Sequence, residues 1–162
     1  MSTIQPNSRN CFICGLENPL GLRIRFYDMA PGEVTANCIV PKEFQSYPGV
    51  VHGGIVAALL DEIAGRSMIG DIENPRFMFT ARLTLRYRKN VPVEQPLRLV
   101  GVAGVRKERS ATAKGSIYSA QGELLAEGEV LLINVPTEIV QSVDLEALGW
   151  KIYQDENENT SG

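Results

Sequence analysis

The segment Tyr47–Ser67 carries two groups that could do chemistry together, a histidine and the carboxylate of Asp61 nine residues later. His52 is the single histidine of the chain, and Gly53 and Gly54 follow it directly. If a helix begins at these glycines, its first N–H groups are unpaired, partly positive and not hidden by a side chain. Such groups can polarise a carbonyl and hold a developing oxyanion. A tight turn into the helix would use the same two glycines.

Asp61 and its neighbour Glu62 point about 100° apart on such a helix, so they serve different surroundings. Glu62 lies four residues before Arg66, which is the favourable order for a surface ion pair. Asp61 has no basic residue three or four positions away, and an unpaired carboxylate on a buried helix is costly unless it has a use. Asp61 is therefore the candidate for chemistry. The alternatives are an arginine from another strand or solvent at a subunit seam. For His52, the choice lies between orienting a ligand and capping the helix locally.

Two kinds of hydrophobic pattern predict the elements around these groups. From Gly53 to about Ile69, alanine and leucine dominate without alternation, which predicts a long helix, apolar nearly all round and therefore buried. Period-two alternation predicts strands at 21–29, 33–40, 82–89, 97–108, 110–120 and 123–134, with a turn at 31–32. A short second helix is predicted around 140–148. The sequence therefore predicts an α+β fold, in which an antiparallel meander of about six strands wraps one central helix.

Composition and charge narrow the class of protein. The net charge is −3, without the basic excess of a nucleic-acid-binding protein. No apolar run approaches the ~20 residues of a membrane span, and the N-terminus lacks the apolar core of a secretory signal. We expect a cytoplasmic protein with a flexible segment 1–10, one domain at 11–150 and a disordered acidic tail at 151–162.

Cys11 and Cys14 form a CxxC pair, which raises the question of a zinc or redox site. A structural zinc ion takes four ligands, and only Cys38 and His52 could complete the set. Cys38 alternates with polar residues on the apolar face of a predicted strand, so we expect it in the core. The sequence therefore predicts no metal and a packing role for the segment around Cys11.

Three stretches resemble hotdog-fold acyl-CoA thioesterases, in particular the phenylacetyl-CoA-type group. VVHGGIVAALLDE (50–62) resembles the His-Gly-Gly signature, with an aspartate nine residues after the histidine. CFICGLENPLGLRIRFY (11–27) resembles the CxxCGxxNPxGL opening of many members, and TARLTLRYRKNVPV (80–93) resembles the strand that follows the helix. The three occur in the family's order and together span roughly residues 11–134. The resemblance implies a hotdog fold.

The resemblance also implies roles for individual residues. Asp61 would be the catalytic carboxylate, acting as general base on water or as nucleophile. Gly54, with Gly53, would supply the backbone N–H that polarises the thioester carbonyl, and His52 would help to place the thioester. Thr80, at the start of the next strand, would help to hold the attacking water or the carboxylate.

Two further sets of residues complete the predicted site. Gln45 is the best match to the Asn or Gln that family members carry shortly before the His-Gly-Gly. Basic side chains on one face of the strand could meet the phosphates of coenzyme A, although a solvated strand face explains them equally well; they are Arg82, Arg86, Arg88 and Lys89.

Family members work as homodimers, with the acid from one subunit and the His-Gly-Gly end from the other. The resemblance therefore implies a homodimer, and a homotetramer is the alternative.

We predict hydrolysis of acyl-CoA thioesters without a cofactor or metal. An aligned carboxylate and a helix-end N–H can suffice for this reaction, since a thiolate leaves readily. The alternatives are a hotdog hydratase or dehydratase on acyl-CoA or acyl-carrier-protein substrates, and a non-catalytic acyl-CoA-binding protein. The Asp-x-x-x-x-His arrangement of those hydratases is not present before His52.

Overall fold

The computed structural model describes residues 2–153, which form an antiparallel sheet with one long helix packed on it. The helix is α1 (Gly53–Arg66), and a short α2 (Thr137–Ser142) follows the last strand. The strands are β1 (Thr3–Ile4), β2 (Tyr27–Ala30), β3 (Glu33–Ile39), β4 (Met78–Tyr87), β5 (Pro96–Arg106), β6 (Ser110–Ser119) and β7 (Leu124–Asn134), with a 3-10 turn at Lys42–Phe44 before α1. This confirms the α+β prediction, and the strand beyond the expected six is the two-residue β1.

The order of strands across the sheet is β1-β2-β3-β5-β6-β7-β4, and all neighbouring strands are antiparallel. The predicted meander is therefore correct for β5, β6 and β7 and wrong for β4. The strand that follows α1 pairs with β7 rather than with β5, so it forms one edge of the sheet. Sequence alternation identifies a strand but carries no information on which neighbour it pairs with.

A row of three glycines lets α1 lie directly on the sheet. Gly101, Gly115 and Gly128 are paired in register across β5, β6 and β7. A Cβ atom on Gly101 would lie 2.0 Å from the carbonyl oxygen of Ile63, and one on Gly115 would lie 2.7 Å from that of Leu60. Both distances are far below van der Waals contact, so the approach of helix to sheet depends on the missing side chains.

Only one side of α1 is buried within the chain, which corrects the prediction of a helix enclosed all round. Val56, Leu59, Leu60 and Ile63 are each no more than 1% exposed and pack into the core under the sheet. The opposite side, which carries small residues and Asp61, keeps contact with solvent. A stripe of small residues leaves little side-chain volume above the helix, so another surface can approach it closely.

Both chain ends are more tightly attached than the sequence suggested. Gln5 and Asn7 are each 1% exposed, and Asn7 exchanges two backbone hydrogen bonds with Lys151 at 2.9 and 3.1 Å. Residues 3–7 therefore pack against the body of the domain rather than forming a flexible lead, because buried amide side chains there find backbone partners. Residues 151–153 belong to the packed structure, and the rest of the predicted tail, 154–162, lies outside the described residues.

Three element boundaries also differ from prediction. Within the alternating segment 21–29, hydrogen bonding to a neighbouring strand begins only at β2, although Ile24 and Phe26 are buried as expected. Helix α1 ends at Arg66, and the second helix lies at α2, earlier than predicted. The predicted hairpin turn is confirmed, with Gly32 at φ 76°. Among the described residues, no helix is long and apolar enough to span a membrane.

Candidate functional site

Asp61 and Thr80 meet at the solvent side of α1. The Thr80 hydroxyl donates a hydrogen bond to Asp61 Oδ1, with 2.6 Å between the oxygens. Asp61 is half-buried, and within residues 2–153 no lysine, arginine or histidine nitrogen lies within ion-pair distance of its carboxylate. The carboxylate is thus held in place by a neutral donor without being neutralised by a cation.

A β-bulge in β4 positions Thr80. The strand pairs Thr80 with Leu132 and Arg82 with Leu131, so Ala81 is an extra residue with no partner opposite. A bulge bends its strand and redirects the side chains beside it. Here the bulge adjoins the residue that holds Asp61.

At the start of the helix, His52 is the N-cap residue and uses one of the amides expected to serve a ligand. The Gly54 N–H donates to His52 Nδ1 at 2.9 Å, so the Nδ1 atom accepts and a neutral ring carries its proton on Nε2. The Gly53 N–H has no acceptor among the described residues. Tyr87 fixes the same turn from β4, since its hydroxyl donates to the Gly53 carbonyl at 2.8 Å. The local capping alternative for His52 is therefore realised in the single chain.

The two pairs of residues do not come together within one chain. Asp61 follows Gly54 by seven residues, which is about 10 Å along the axis of an α-helix. The Asp61–Thr80 pair and the His52–Gly54 pair are therefore two separate half-sites on one exposed side of α1.

Gln45 lies beside the entry to α1, but its side chain turns away from it. Its Oε1 accepts from the Gly49 N–H at 3.1 Å, and its backbone forms a bridge with Val51. The neighbouring Phe44 carbonyl accepts from the His52 N–H at 2.9 Å. The loop is thus anchored next to His52, while the Gln45 amide group closes the loop on itself.

Two of the four basic residues predicted to face coenzyme A have carboxylate partners on the adjoining strand or turn. Arg88 donates to Glu127 at 2.7 Å, and this interaction holds the pKa of the Glu127 carboxyl below its usual range. Lys89 pairs with Glu123. Arg82 and Arg86 are exposed on β4. The basic strand face is therefore partly compensated by acidic residues.

Glu62 and Arg66 form the predicted ion pair, with 2.8 Å between Oε1 and Nε, but the pair is not on the surface. Arg66 is 3% exposed. Its guanidinium also donates to the Pro6 carbonyl at 2.6 Å and lies 4.5 and 5.2 Å from the ring centroids of Phe26 and Trp150. The i,i+4 spacing predicted the partner, but it could not show that the N-terminal segment and the rings cover the pair.

Asp61 and Thr80 open onto a cleft of about 250 Å³, which also contains Cys11, Cys14 and Trp150. An adjoining apolar cleft of about 260 Å³ shares Trp150 and is lined by side chains of α2 and the segment after it. The indole N–H of Trp150 is buried and has no hydrogen-bond partner within residues 2–153. No sequence pattern indicated that Trp150 lies here, because a single tryptophan carries no positional signal.

Comparison with protein-family models gives a match to the thioesterase superfamily over residues 48–126. The matched region runs from the loop before His52 through α1 and β4 to the first part of β7, and it contains both half-sites. This region of the chain is therefore similar to the thioesterase superfamily. A comparison with curated proteins found no match.

Several solved structures share the hotdog fold of this chain. One, a thioesterase superfamily protein, has a TM-score of 0.70 and 30% identity; the match covers 77% of this chain and 63% of that one, so this chain spans under two thirds of that relative. A protein from Streptococcus mutans UA159 bound to acetyl CoA matches with a TM-score of 0.62 and 17% identity, over 69% of this chain and 88% of that one. The E. coli PaaI protein from the phenylacetic acid degradation operon matches with a TM-score of 0.64 and 13% identity, over 71% and 81%.

Proposed function

We propose that this chain hydrolyses acyl-CoA thioesters to the free acid and coenzyme A. The observation that carries the proposal is the Asp61 carboxylate, which lies at a cleft, is oriented by Thr80 and has no cationic partner among the described residues. A carboxylate held in a structural ion pair would be a poor base. The Thr80 hydroxyl binds Oδ1 of Asp61, and the second oxygen can bind water or substrate. Similarity to the thioesterase superfamily and a structural neighbour bound to acetyl CoA support the substrate class.

In the proposed reaction, Asp61 takes a proton from a water molecule whose oxygen attacks the thioester carbonyl carbon. The carbonyl electrons move onto oxygen, and the C–S bond then breaks as the carbonyl forms again. The leaving thiolate takes up the proton that Asp61 removed, which restores the carboxylate. Direct attack by Asp61, through an acyl anhydride that water then hydrolyses, uses the same residue and gives the same products. In both routes the Thr80 hydroxyl keeps the carboxylate aimed at the cleft.

The developing oxyanion would be stabilised at the start of α1. We propose that the substrate carbonyl oxygen accepts from the Gly54 N–H in place of His52 Nδ1, with the unpaired Gly53 N–H beside it. His52 then contributes by holding the thioester, and its ring keeps the amide oriented until substrate arrives. This exchange costs little, because one hydrogen bond replaces another.

We propose that a second copy of the chain brings the two half-sites together. Helix α1 exposes its small-residue side, and β4 is a ten-residue edge strand whose outer backbone groups have no strand partner within residues 2–153. Long open edges invite pairing with another strand. Antiparallel pairing of β4 with the partner's β4 would continue the sheet and set the two helices side by side, so that Asp61 of one subunit faces the partner's helix start.

We propose that the exposed Arg82 and Arg86, with Arg88 and Lys89, attract the phosphates of coenzyme A. The apolar cleft beside Asp61 suits the acyl group, since it continues directly from the cleft that holds the carboxylate. Gln45 would act at the rim of the site, where its loop adjoins His52.

The test is the release of free thiol from short, medium, long-chain and aryl acyl-CoA thioesters. Asp61→Asn should lower kcat at least ~100-fold, the usual contribution of a general base. Asp71→Asn, in an exposed loop, is the matched control and should leave kcat unchanged. Equal rates for the wild type and Asp61→Asn would remove Asp61 from the reaction. Binding of acyl-CoA by the wild type with no thiol release would identify a binding protein instead.

A further inference from the structure

Two thiols and a carboxylate converge at the wall of the cleft that holds Asp61. The sulfur atoms of Cys11 and Cys14 and a carboxylate oxygen of Glu62 all lie within 4.8 Å of one another. Three such donors around one tetrahedral zinc ion lie about 3.6–3.8 Å apart, given Zn–S and Zn–O bonds of about 2.3 and 2.1 Å. The donors therefore need to move by no more than about 1 Å to bind one ion.

The loop that carries the cysteines has a shape suited to ionised sulfur. Cys11 Sγ accepts from the N–H groups of Ile13 and Cys14 at 3.3 and 3.4 Å, and amide donors of this kind stabilise a thiolate. The turn closes through the Gly15 N–H, which donates to the Cys11 carbonyl at 2.9 Å. A Cβ atom on Gly15 would lie 2.4 Å from that carbonyl oxygen, so this tight turn requires glycine.

The second cysteine of the pair is buried and lies in hydrogen-bond contact with the first. Cys14 is 2% exposed, and Ser8 Oγ lies 3.6 Å from its sulfur. The hydrogen bond from the Cys11 thiol, assisted by the Arg66 charge, lowers the pKa of Cys14 to about 6. The same hydrogen bond raises the pKa of Cys11. A metal ion bound between the two sulfur atoms would displace the proton that joins them.

Glu62 is held in the way that metal-binding carboxylates are held. Arg66 Nε donates a hydrogen bond to Glu62 Oε1 at 2.8 Å, and an outer donor of this kind orients a metal ligand. Charge balance points the same way. Two thiolates and the Glu62 carboxylate carry three negative charges, Arg66 supplies one positive charge, and a divalent cation neutralises the remainder.

We propose that Cys11, Cys14 and Glu62 bind one Zn²⁺ ion, with the fourth coordination position open to the cleft. Thiolate ligands in a tetrahedral arrangement favour zinc over the hard cations. The sequence predicted no metal because its further cysteine and histidine candidates, Cys38 and His52, lie elsewhere, on β3 and at the start of α1. The ion ties the N-terminal loop to the helix turn that carries Asp61, so it fixes the wall of the cleft.

The test uses the full chain, reduced with a phosphine and freed of metal with a chelator, and titrated with Co²⁺ and then Zn²⁺. We expect one Co²⁺ per chain, with thiolate-to-cobalt absorption in the near ultraviolet that disappears when Zn²⁺ displaces it. Cys11→Ser and Cys14→Ser should abolish the absorption, and Glu62→Gln should weaken Zn²⁺ binding at least ~10-fold. Cys38→Ser is the matched control and should bind as the wild type does.

A second measurement needs no variant. With Zn²⁺ present, alkylation of Cys11 and Cys14 by iodoacetamide should slow at least ~10-fold relative to the chelated protein, while Cys38 is equally slow in both. No bound metal in the reduced wild type at micromolar Zn²⁺ would overturn the proposal, and so would binding that survives loss of both cysteines. An air-formed Cys11–Cys14 disulfide in a chain that binds no Zn²⁺ would show a redox pair instead. None of these results depends on thioesterase activity.

Discussion

The Thr80 hydroxyl lies 2.6 Å from Asp61 Oδ1, and it joins the bulged edge strand to the exposed side of the central helix. The two residues are 19 positions apart, and among the described residues no cation lies within ion-pair distance of the Asp61 carboxylate. A neutral donor orients a carboxylate and leaves its charge uncompensated, whereas a guanidinium would neutralise that charge. This relationship distinguishes Asp61 from Glu62, whose carboxylate is committed to Arg66.

Removing the Thr80 hydroxyl should slow the reaction without changing the fold. Thr80→Val preserves shape and removes a hydrogen bond to a charged group, so we expect kcat to fall about 10- to 100-fold. Thr80→Ser keeps the donor and should stay within about threefold of the wild type. Steady-state kinetics on one acyl-CoA substrate gives the comparison. If Thr80→Val and Thr80→Ser fall equally, the threonine methyl group rather than the hydroxyl is what Asp61 requires.

The His52 cap makes a prediction about stability that is independent of activity. His52→Ala removes the acceptor of the Gly54 N–H, which should cost about 1 kcal/mol of unfolding free energy. His52→Asn supplies another capping acceptor and should recover most of that loss. Urea denaturation followed by circular dichroism measures both. An unchanged midpoint for His52→Ala would mean that the cap contributes nothing in solution.

A shared site between two subunits can be detected by mixing inactive variants. In a heterodimer of Asp61→Asn and His52→Ala chains, one of the two sites has both residues intact. Since half of randomly exchanged dimers are heterodimers, the mixture should recover about one quarter of the wild-type activity. Each variant alone should stay at least ~10-fold below the wild type. A mixture no more active than its components would place the complete site within one chain.

Arg66 should be among the most sensitive positions for stability. It is buried, and its partners are a carboxylate, a backbone carbonyl and two aromatic rings. Arg66→Met leaves Glu62 without its cation, and we expect a loss of about 3–5 kcal/mol in unfolding free energy. Arg98→Met is the control, since Arg98 is exposed and only stacks on Tyr118. Equal losses for both variants in chemical denaturation would contradict the assignment.

The row of three glycines predicts that a methyl group added at Gly101 destabilises the fold strongly. Gly101→Ala would place Cβ against the Ile63 carbonyl, and the helix would have to move off the sheet, so we expect a loss of at least ~2 kcal/mol. Gly65→Ala is the control, because no described atom outside the neighbouring turns of α1 lies within 4 Å of the added carbon and alanine favours the helix. Thermal denaturation should show a large decrease for the first variant and none for the second. A small decrease for Gly101→Ala would mean that the helix can shift at little cost.

The sequence by itself determined the local elements and the residues worth testing. Alternation identified most strands, the apolar run identified α1, and the i,i+4 spacing identified the Glu62–Arg66 pair. These features depend on residues within about two helical turns of one another, where the local backbone geometry determines which side chains lie on the same face. The three family motifs then identified the fold, because they occur along the chain in the order that is typical of the family.

The tertiary structure decided which distant residues meet. It paired β4 with β7, joined Thr80 to Asp61, packed residues 3–7 onto the domain and brought Glu62 to the two cysteines. Each contact joins residues well separated in the sequence, and the cost of closing such loops depends only weakly on their length. Many partners are therefore equally accessible to the unfolded chain, and packing of the whole core selects among them. For that reason the carboxylate assigned to Arg66 from its spacing also lies beside Cys11 and Cys14, a relationship that spacing could not reveal.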